Sequence, residues 1–322
     1  MALIKGKATD FGTGSLYPAG SIADDPLAAA LAAYRRTVAS RYLGLKPEEI
    51  QATLPKGTFH VSPKVDGELW YLAKQGKEVV LVSPNGRALT GDLPLLAEAQ
   101  KSFAARAKDG TVLAGELFAV PASGRPRIGD LAAAMASGAG AGVDELRFSA
   151  FDVVRGGDDE APRPGEAYEE RLAALQRLLE GGSALDVVKS EIATSASQVE
   201  EHFDAWVGGG EAEGLVIRAE DGRIFKLKPV VTIDAVVVGF TERFEKTDQA
   251  GSILRALLRG DGNYLLIGAC GNVGGDTERT DLYKRISKSV VDSSFRYASG
   301  GGALYRFVKP EQVVEVVATD VQ

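Results

Sequence analysis

Val61-Ser62-Pro63-Lys64-Val65-Asp66-Gly67 (VSPKVDG) carries a short β-rich run through a proline into a lysine, an aspartate and a glycine. Residues 59–62, 69–73 and 79–83 are rich in β-branched, aromatic and aliphatic side chains and are separated by Gly, Lys and Asn, so three short strands are predicted. Lys64 therefore stands at a strand end beside a carboxylate and a tight turn. A lysine held in this way serves as a covalent nucleophile once it loses its proton, which burial and neighbouring cations favour. The same tetrapeptide also suits a plain Lys–Asp pair on a β-turn, so alone it does not decide between the two.

Four more segments lie downstream, in a fixed order. Gly115-Glu116-Leu117 lies within a predicted strand at 111–120, and Phe148-Ser149-Ala150-Phe151-Asp152 within another at 147–154. The second offers an aromatic ring able to stack on a base. Glu213-Gly214-Leu215-Val216-Ile217-Arg218 comes after a glycine-rich turn, and Phe225-Lys226-Leu227-Lys228 alternates two lysines onto one strand face. Taken singly, Glu116 and Glu213 read as solvated strand-end carboxylates, Phe151 as core, and Lys226 and Lys228 as an exposed edge.

Taken together, in this order and at this spacing, the segments resemble the covalent nucleotidyltransferase superfamily of ATP-dependent DNA ligases, RNA ligases and mRNA capping enzymes. The resemblance runs from about Val61 to Val317, and Tyr168–Leu172 (YEERL) looks like a helix start usual in DNA ligases. It implies an α+β fold: an ATP-grasp-like nucleotidyltransferase domain with antiparallel sheets and flanking helices, followed by a small β-barrel OB-fold. It further implies that Lys64 attacks the α-phosphorus of ATP to form lysyl-AMP, with Lys226 and Lys228 repelling the ammonium proton and neutralising phosphate. By the same resemblance Glu116 binds the ribose hydroxyl, Phe151 stacks on adenine, and Asp66 acts near the acceptor 3′-hydroxyl. Glu213, with Glu116, is the candidate ligand of a divalent cation, Mg²⁺ or Mn²⁺, since hard cations prefer carboxylate and phosphate oxygens. The implied partner is nicked duplex DNA, with an RNA ligase and a non-catalytic nucleic-acid-binding relative as the alternatives; capping is disfavoured because nothing reads guanine over adenine.

Three departures stand out. The family's arginine after the first glycine is replaced by Leu69. Its Ser-Arg-x-Gly element reads Ser83-Pro84-Asn85-Gly86-Arg87, which leaves Arg87 as a shifted phosphate-binding candidate. A terminal basic motif is expected beyond the last strand, where the sequence stops at Gln322.

Composition sets the remaining expectations. The 322 residues carry 37 Lys+Arg against 44 Asp+Glu, a net charge of −7, which argues against unspecific coating of nucleic acid. Between Arg279 and Lys309, however, seven basic residues face only Asp281 and Asp292. Lys284, Arg285 and Lys288 in this segment are candidate nucleic-acid contacts. One cysteine excludes an internal disulfide, and with two histidines argues against a His/Cys metal cage. No run of about 18 apolar residues is present, so a spanning helix is not expected. A cytoplasmic monomer without membrane contact is the expectation. Two domains are predicted, 1–229 with an N-terminal helical extension and 230–322, joined by a hinge at 229–232. Helices are predicted over 27–42 (capped by Asp25), 94–108, 129–137 and 168–179, with a loop at 155–165. A capping box of Ser197 and Glu200 opens another helix, and one helical insert is expected near 281–291.

Overall fold

The computed structural model describes residues 3–136, 141–157, 166–179 and 182–318. The chain divides into two compact units, Met1–Pro229 and Val230–Gln322.

The first unit is built on two mixed sheets. The larger has eight strands in the order Thr9–Phe11, Gly14–Tyr17, Ala88–Gly91, Glu78–Val82, Glu68–Gln75, Val112–Ala119, Leu146–Arg155 and Leu185–Val187. Its central strands are apolar on both faces, as a sheet covered on both sides requires. Along Glu68–Gln75, Trp70 and Leu72 join one core with Leu96, Phe103, Leu131 and Leu175. The alternate residues Tyr71 and Ala73 join the opposite core with Leu27, Leu31 and Tyr34.

The smaller sheet runs Glu191–Ala193, Phe59–Lys64, Gly214–Ala219, Ile224–Leu227 and Leu43–Leu45. It packs Phe59, Val61, Leu215, Ile217 and Phe225 against Ile50, Val199 and Trp206. The sheets are not purely antiparallel: Leu185–Val187 and Leu43–Leu45 each join their neighbours in parallel.

Several local expectations shift. Asp24, not Asp25, caps the first helix, Asp25–Thr37, by accepting from the Leu27 amide at 2.8 Å. That helix stops before residue 42, and the chain turns into the Leu43–Leu45 strand. The expected helix at 94–108 breaks into Pro94–Lys101 and Phe103–Arg106, where the Ser102 hydroxyl bonds back to the Glu98 carbonyl at 3.0 Å. The cap of Ala196–Phe203 is Ser195; Ser197 and Glu200 instead both accept from Gln51 Nε2. The loop expected at 155–165 falls largely outside the described residues.

The second unit has a five-stranded sheet ordered Tyr264–Cys270, Ala250–Leu258, Val231–Glu242 and Arg306–Phe307, with Val313–Ala318 also pairing on Val231–Glu242. The helix Asp276–Ile286 covers it through Leu282 and Ile286, which pack with Val237, Phe240 and Ile253. Two residues of the expected hinge, Val231 and Thr232, are already strand, paired with Ala318 and Val317. Among the described residues no helix is long and apolar enough to cross a membrane.

Candidate active site

The two sheets of the first unit face a common pocket. The smaller sheet contributes Ser62, Lys64, Val216, Arg218 and Lys226; the larger contributes Leu69, Glu116, Ser149 and Phe151.

Lys64 ends its strand directly across from Gly214, which brings the preceding residue, Glu213, alongside it. Lys64 Nζ lies 2.5 Å from Glu213 Oε2, and Lys228 Nζ holds the other oxygen, Oε1. Burial pushes the Glu213 carboxyl up, but the hydrogen bonds from Lys228 and Lys64 outweigh it and hold the group below the usual carboxylate range. Two backbone positions permit this closeness. A Cβ on Gly67 would stand 2.3 Å from the Leu117 carbonyl, and one on Gly214 would stand 2.3 Å from that of Leu227. Neither site tolerates a side chain without moving a strand.

Glu116 lines the same pocket, where burial pushes its carboxyl up to about 7, opposed by Lys64, Lys226 and the Gly67 amide. Lys226 is shifted the other way, its ammonium disfavoured first by burial and then by the charge of Lys64. Asp66 sits just outside, 3.8 Å from the Arg125 guanidinium. Phe151 is set beside a pinned partner: buried Asp152 accepts from Tyr34 Oη at 2.7 Å and from Arg171 NH1 at 2.9 and 3.0 Å. Arg171 belongs to the YEERL helix, so that motif's role here is to fix the Phe151 strand.

Arg87 lies elsewhere. Its guanidinium is 2.5 Å from Glu68 and 5.3 Å from the Trp70 ring centroid, and it is not among the residues lining the pocket. Leu69 lines the pocket at the position where the family carries an arginine. Lys284, Arg285 and Lys288 belong to the second unit and are exposed; Lys284 stands 3.8 Å from Asp281, and Arg285 donates to the Asp281 carbonyl. Within the same basic segment Arg279 is structural, donating to the carbonyls of Ala250, Gly251, Gly271 and Gly274.

Two lining residues carry no signal in the sequence that marks them as pocket groups. Arg218 is 4% exposed, 4.3 Å from the Tyr168 ring centroid and 5.7 Å from that of Phe151, and its Nε and NH1 have no hydrogen-bond partner. Arg218 therefore lines the pocket as a buried cation packed on two aromatic rings. Tyr42 is the other, and its ring centroid lies 4.6 Å from Lys226 Nζ.

A polar ligand with phosphate and aromatic parts fits this lining: the amines of Lys64 and Lys226, and the Phe151 ring with the Arg218 guanidinium 5.7 Å from its centroid. Residues 38–226, more than half of the chain, match the family described as the ATP dependent DNA ligase domain. The chain belongs to the ATP-dependent DNA ligase family. Within that family it is 28% identical to DNA ligase C2 of Mycolicibacterium smegmatis, over 82% of this chain and 81% of that relative. It is 30% identical to DNA ligase C of Mycobacterium tuberculosis over shorter spans, 38% of this chain and 37% of the other. A solved structure described as a Lig E DNA ligase shares the fold of this ligase-family chain, with a TM-score of 0.52 at 19% identity over 74% of this chain and 87% of that one.

Proposed function

We propose that the chain is an ATP-dependent DNA ligase that seals nicks in duplex DNA through a lysyl-AMP intermediate on Lys64. The observation that carries this reading is the contact of Lys64 Nζ with Glu213 Oε2 at 2.5 Å, beside a pocket that also holds Lys226, Glu116 and Phe151.

The amine must be neutral to attack. Glu213 Oε2 accepts from the Lys64 amine, and Lys228 holds the other oxygen of the same carboxylate. The neutral amine bonds to the α-phosphorus while the bond to the pyrophosphate oxygen breaks, leaving a phosphoramidate. The two other lysines then face the phosphate oxygens on which charge builds. Phe151 supplies the stacking surface for the base, and Glu116 an acceptor for the ribose hydroxyl. In the later steps AMP passes to the 5′-phosphate of the nick, and the 3′-hydroxyl displaces it to form the phosphodiester. Asp66, whose carboxylate lies 3.8 Å from the Arg125 guanidinium, is read as acting near the acceptor 3′-hydroxyl.

Glu213 and Glu116 would be the carboxylates offered to a hard divalent cation, Mg²⁺ or Mn²⁺, with Glu213 released from Lys64 and Lys228, which hold both its oxygens in this structure, and the remaining ligands coming from phosphate and water. Such a cation supplies charge neutralisation at the phosphates. The second unit, 230–322, is read as an OB-fold that swings about the 229–230 junction to close on DNA, with Lys284, Arg285 and Lys288 facing phosphates.

The test is sealing of a labelled nicked duplex with ATP and Mg²⁺, run beside substrates whose 3′ side of the nick is ribose. Sealing of the all-DNA nick supports the reading. Sealing confined to the ribose substrate would make the chain an RNA ligase, because the 2′-hydroxyl is the handle that separates the two.

A further inference from the structure

The three lysines of the pocket region are held in different ways. Lys64 and Lys228 are tied to the two oxygens of Glu213. Among the described residues Lys226 has neither a hydrogen bond nor an ion pair; what touches its ammonium is the face of Tyr42, 4.6 Å from Nζ to the ring centroid. Tyr42 owes its place to the fold. It directly precedes the Leu43–Leu45 strand, which runs parallel to Ile224–Leu227 with Gly44 opposite Lys226. Arg218 lines the same pocket as Tyr42 and Lys226.

We propose that Tyr42 is a positioning residue whose ring holds the Lys226 ammonium in the pocket, aimed at phosphate rather than at the nearby carboxylates. Glu116 and Glu213 both attract Lys226. An ammonium drawn onto either would be tied to a carboxylate before the nucleotide arrives. An aromatic face attracts a cation without accepting its protons in directed hydrogen bonds, so the ammonium keeps its donors free for incoming phosphate oxygens. The role falls to the N-terminal segment, which closes the motif sheet with an edge strand three residues long.

The inference rests on the proposed ligase reading, and its test separates the two. Single-turnover formation of lysyl-AMP is measured with α-labelled ATP for wild type, Tyr42→Leu and Tyr42→Phe. Tyr42→Leu is expected to slow adduct formation at saturating ATP about tenfold, with the apparent ATP affinity moved less than about threefold. Tyr42→Phe keeps the ring and is expected to recover most of the rate. A Leu variant within about twofold of wild type, or a Phe variant as slow as Leu, would overturn the assignment. A second readout needs no turnover: in protein labelled at the lysine ε-carbons, the Lys226 ε-methylene, assigned with Lys226→Arg, should show an upfield ring-current shift. That shift should survive in Tyr42→Phe and vanish in Tyr42→Leu. Its absence from wild type would sink the contact even if AMP transfer proceeds, whereas its presence without any adduct would uphold the contact and fail the ligase reading.

Discussion

Lys64 and Glu213 meet across two adjacent antiparallel strands, amine to carboxylate at 2.5 Å, with the Glu213 amide donating to the Lys64 carbonyl at 3.2 Å. The backbone bond and the side-chain bond fix the same pair, so the nucleophile's position is set by strand register rather than by a loop. Lys228 closes the arrangement from the next strand's end, leaving Glu213 between two ammonium groups. A carboxylate so placed has two effects: it localises the attacking amine, and it screens two cations that would otherwise repel one another.

Glu213→Gln keeps the shape and removes the charge. Adduct formation is expected to fall by about 100-fold or more, the scale seen when a preorganised charge is deleted from a site of this kind. Thermal unfolding should shift modestly, since Lys64 and Lys228 retain access to solvent. An unchanged adenylylation rate would show that the pair is structural.

Glu116 predicts a pH dependence of stability. Its carboxyl is pushed up to about 7 by burial, while in the unfolded chain it titrates near 4.5. Between those values the folded protein keeps a proton that the unfolded chain releases, so stability is full below about 4.5 and declines as pH rises toward 7. The loss is on the order of 3 kcal/mol. Chemical denaturation of wild type and Glu116→Gln across this window checks it: the Gln variant should lack this part of the decline.

Arg87 and Arg218 make opposite predictions. Arg87 is committed to Glu68 and Trp70 outside the pocket, and a solvent-accessible ion pair contributes about 0–1 kcal/mol. Arg87→Ala should therefore leave adduct formation within about threefold of wild type. Arg218→Ala removes the buried cation that packs on the Phe151 and Tyr168 rings and should lower adduct formation at least about tenfold, with Arg218→Lys recovering part of it. Parallel labelling assays on the three variants decide the order.

In the second unit, replacing Lys284, Arg285 and Lys288 together by alanine should flatten the dependence of DNA affinity on salt. If all three meet phosphates, the slope of log K against log salt falls by about 2–3. Titrations at several salt concentrations measure it; an unchanged slope places the DNA-binding surface elsewhere.

The motif strands are legible in sequence because each is a short run rich in β-branched, aromatic and aliphatic residues, set off by Gly, Pro or charged residues. Register then does the rest: once Phe59–Lys64 lies beside Gly214–Ala219, Lys64 and Glu213 must meet. Much of the remainder depends on pairing between distant segments. Strands as short as Thr9–Phe11, Leu43–Leu45 and Leu185–Val187 carry no readable period and exist because a neighbouring edge accepts them. Tyr42 follows from one such pairing. Arg218 lies near the end of what reads as an apolar strand, and the rings it packs against, Phe151 and Tyr168, are distant in sequence. Arg87 shows a contact the sequence does not announce: Glu68, at the start of the Glu68–Gln75 strand, pairs with its guanidinium.

Peptide-resolved mass spectrometry of the protein after exposure to ATP and Mg²⁺ tests the central claim most directly. One AMP should be found on Lys64, and Lys64→Ala should carry none while remaining folded. AMP found on another side chain, or nicks sealed with Lys64 unmodified and replaceable, would contradict the account.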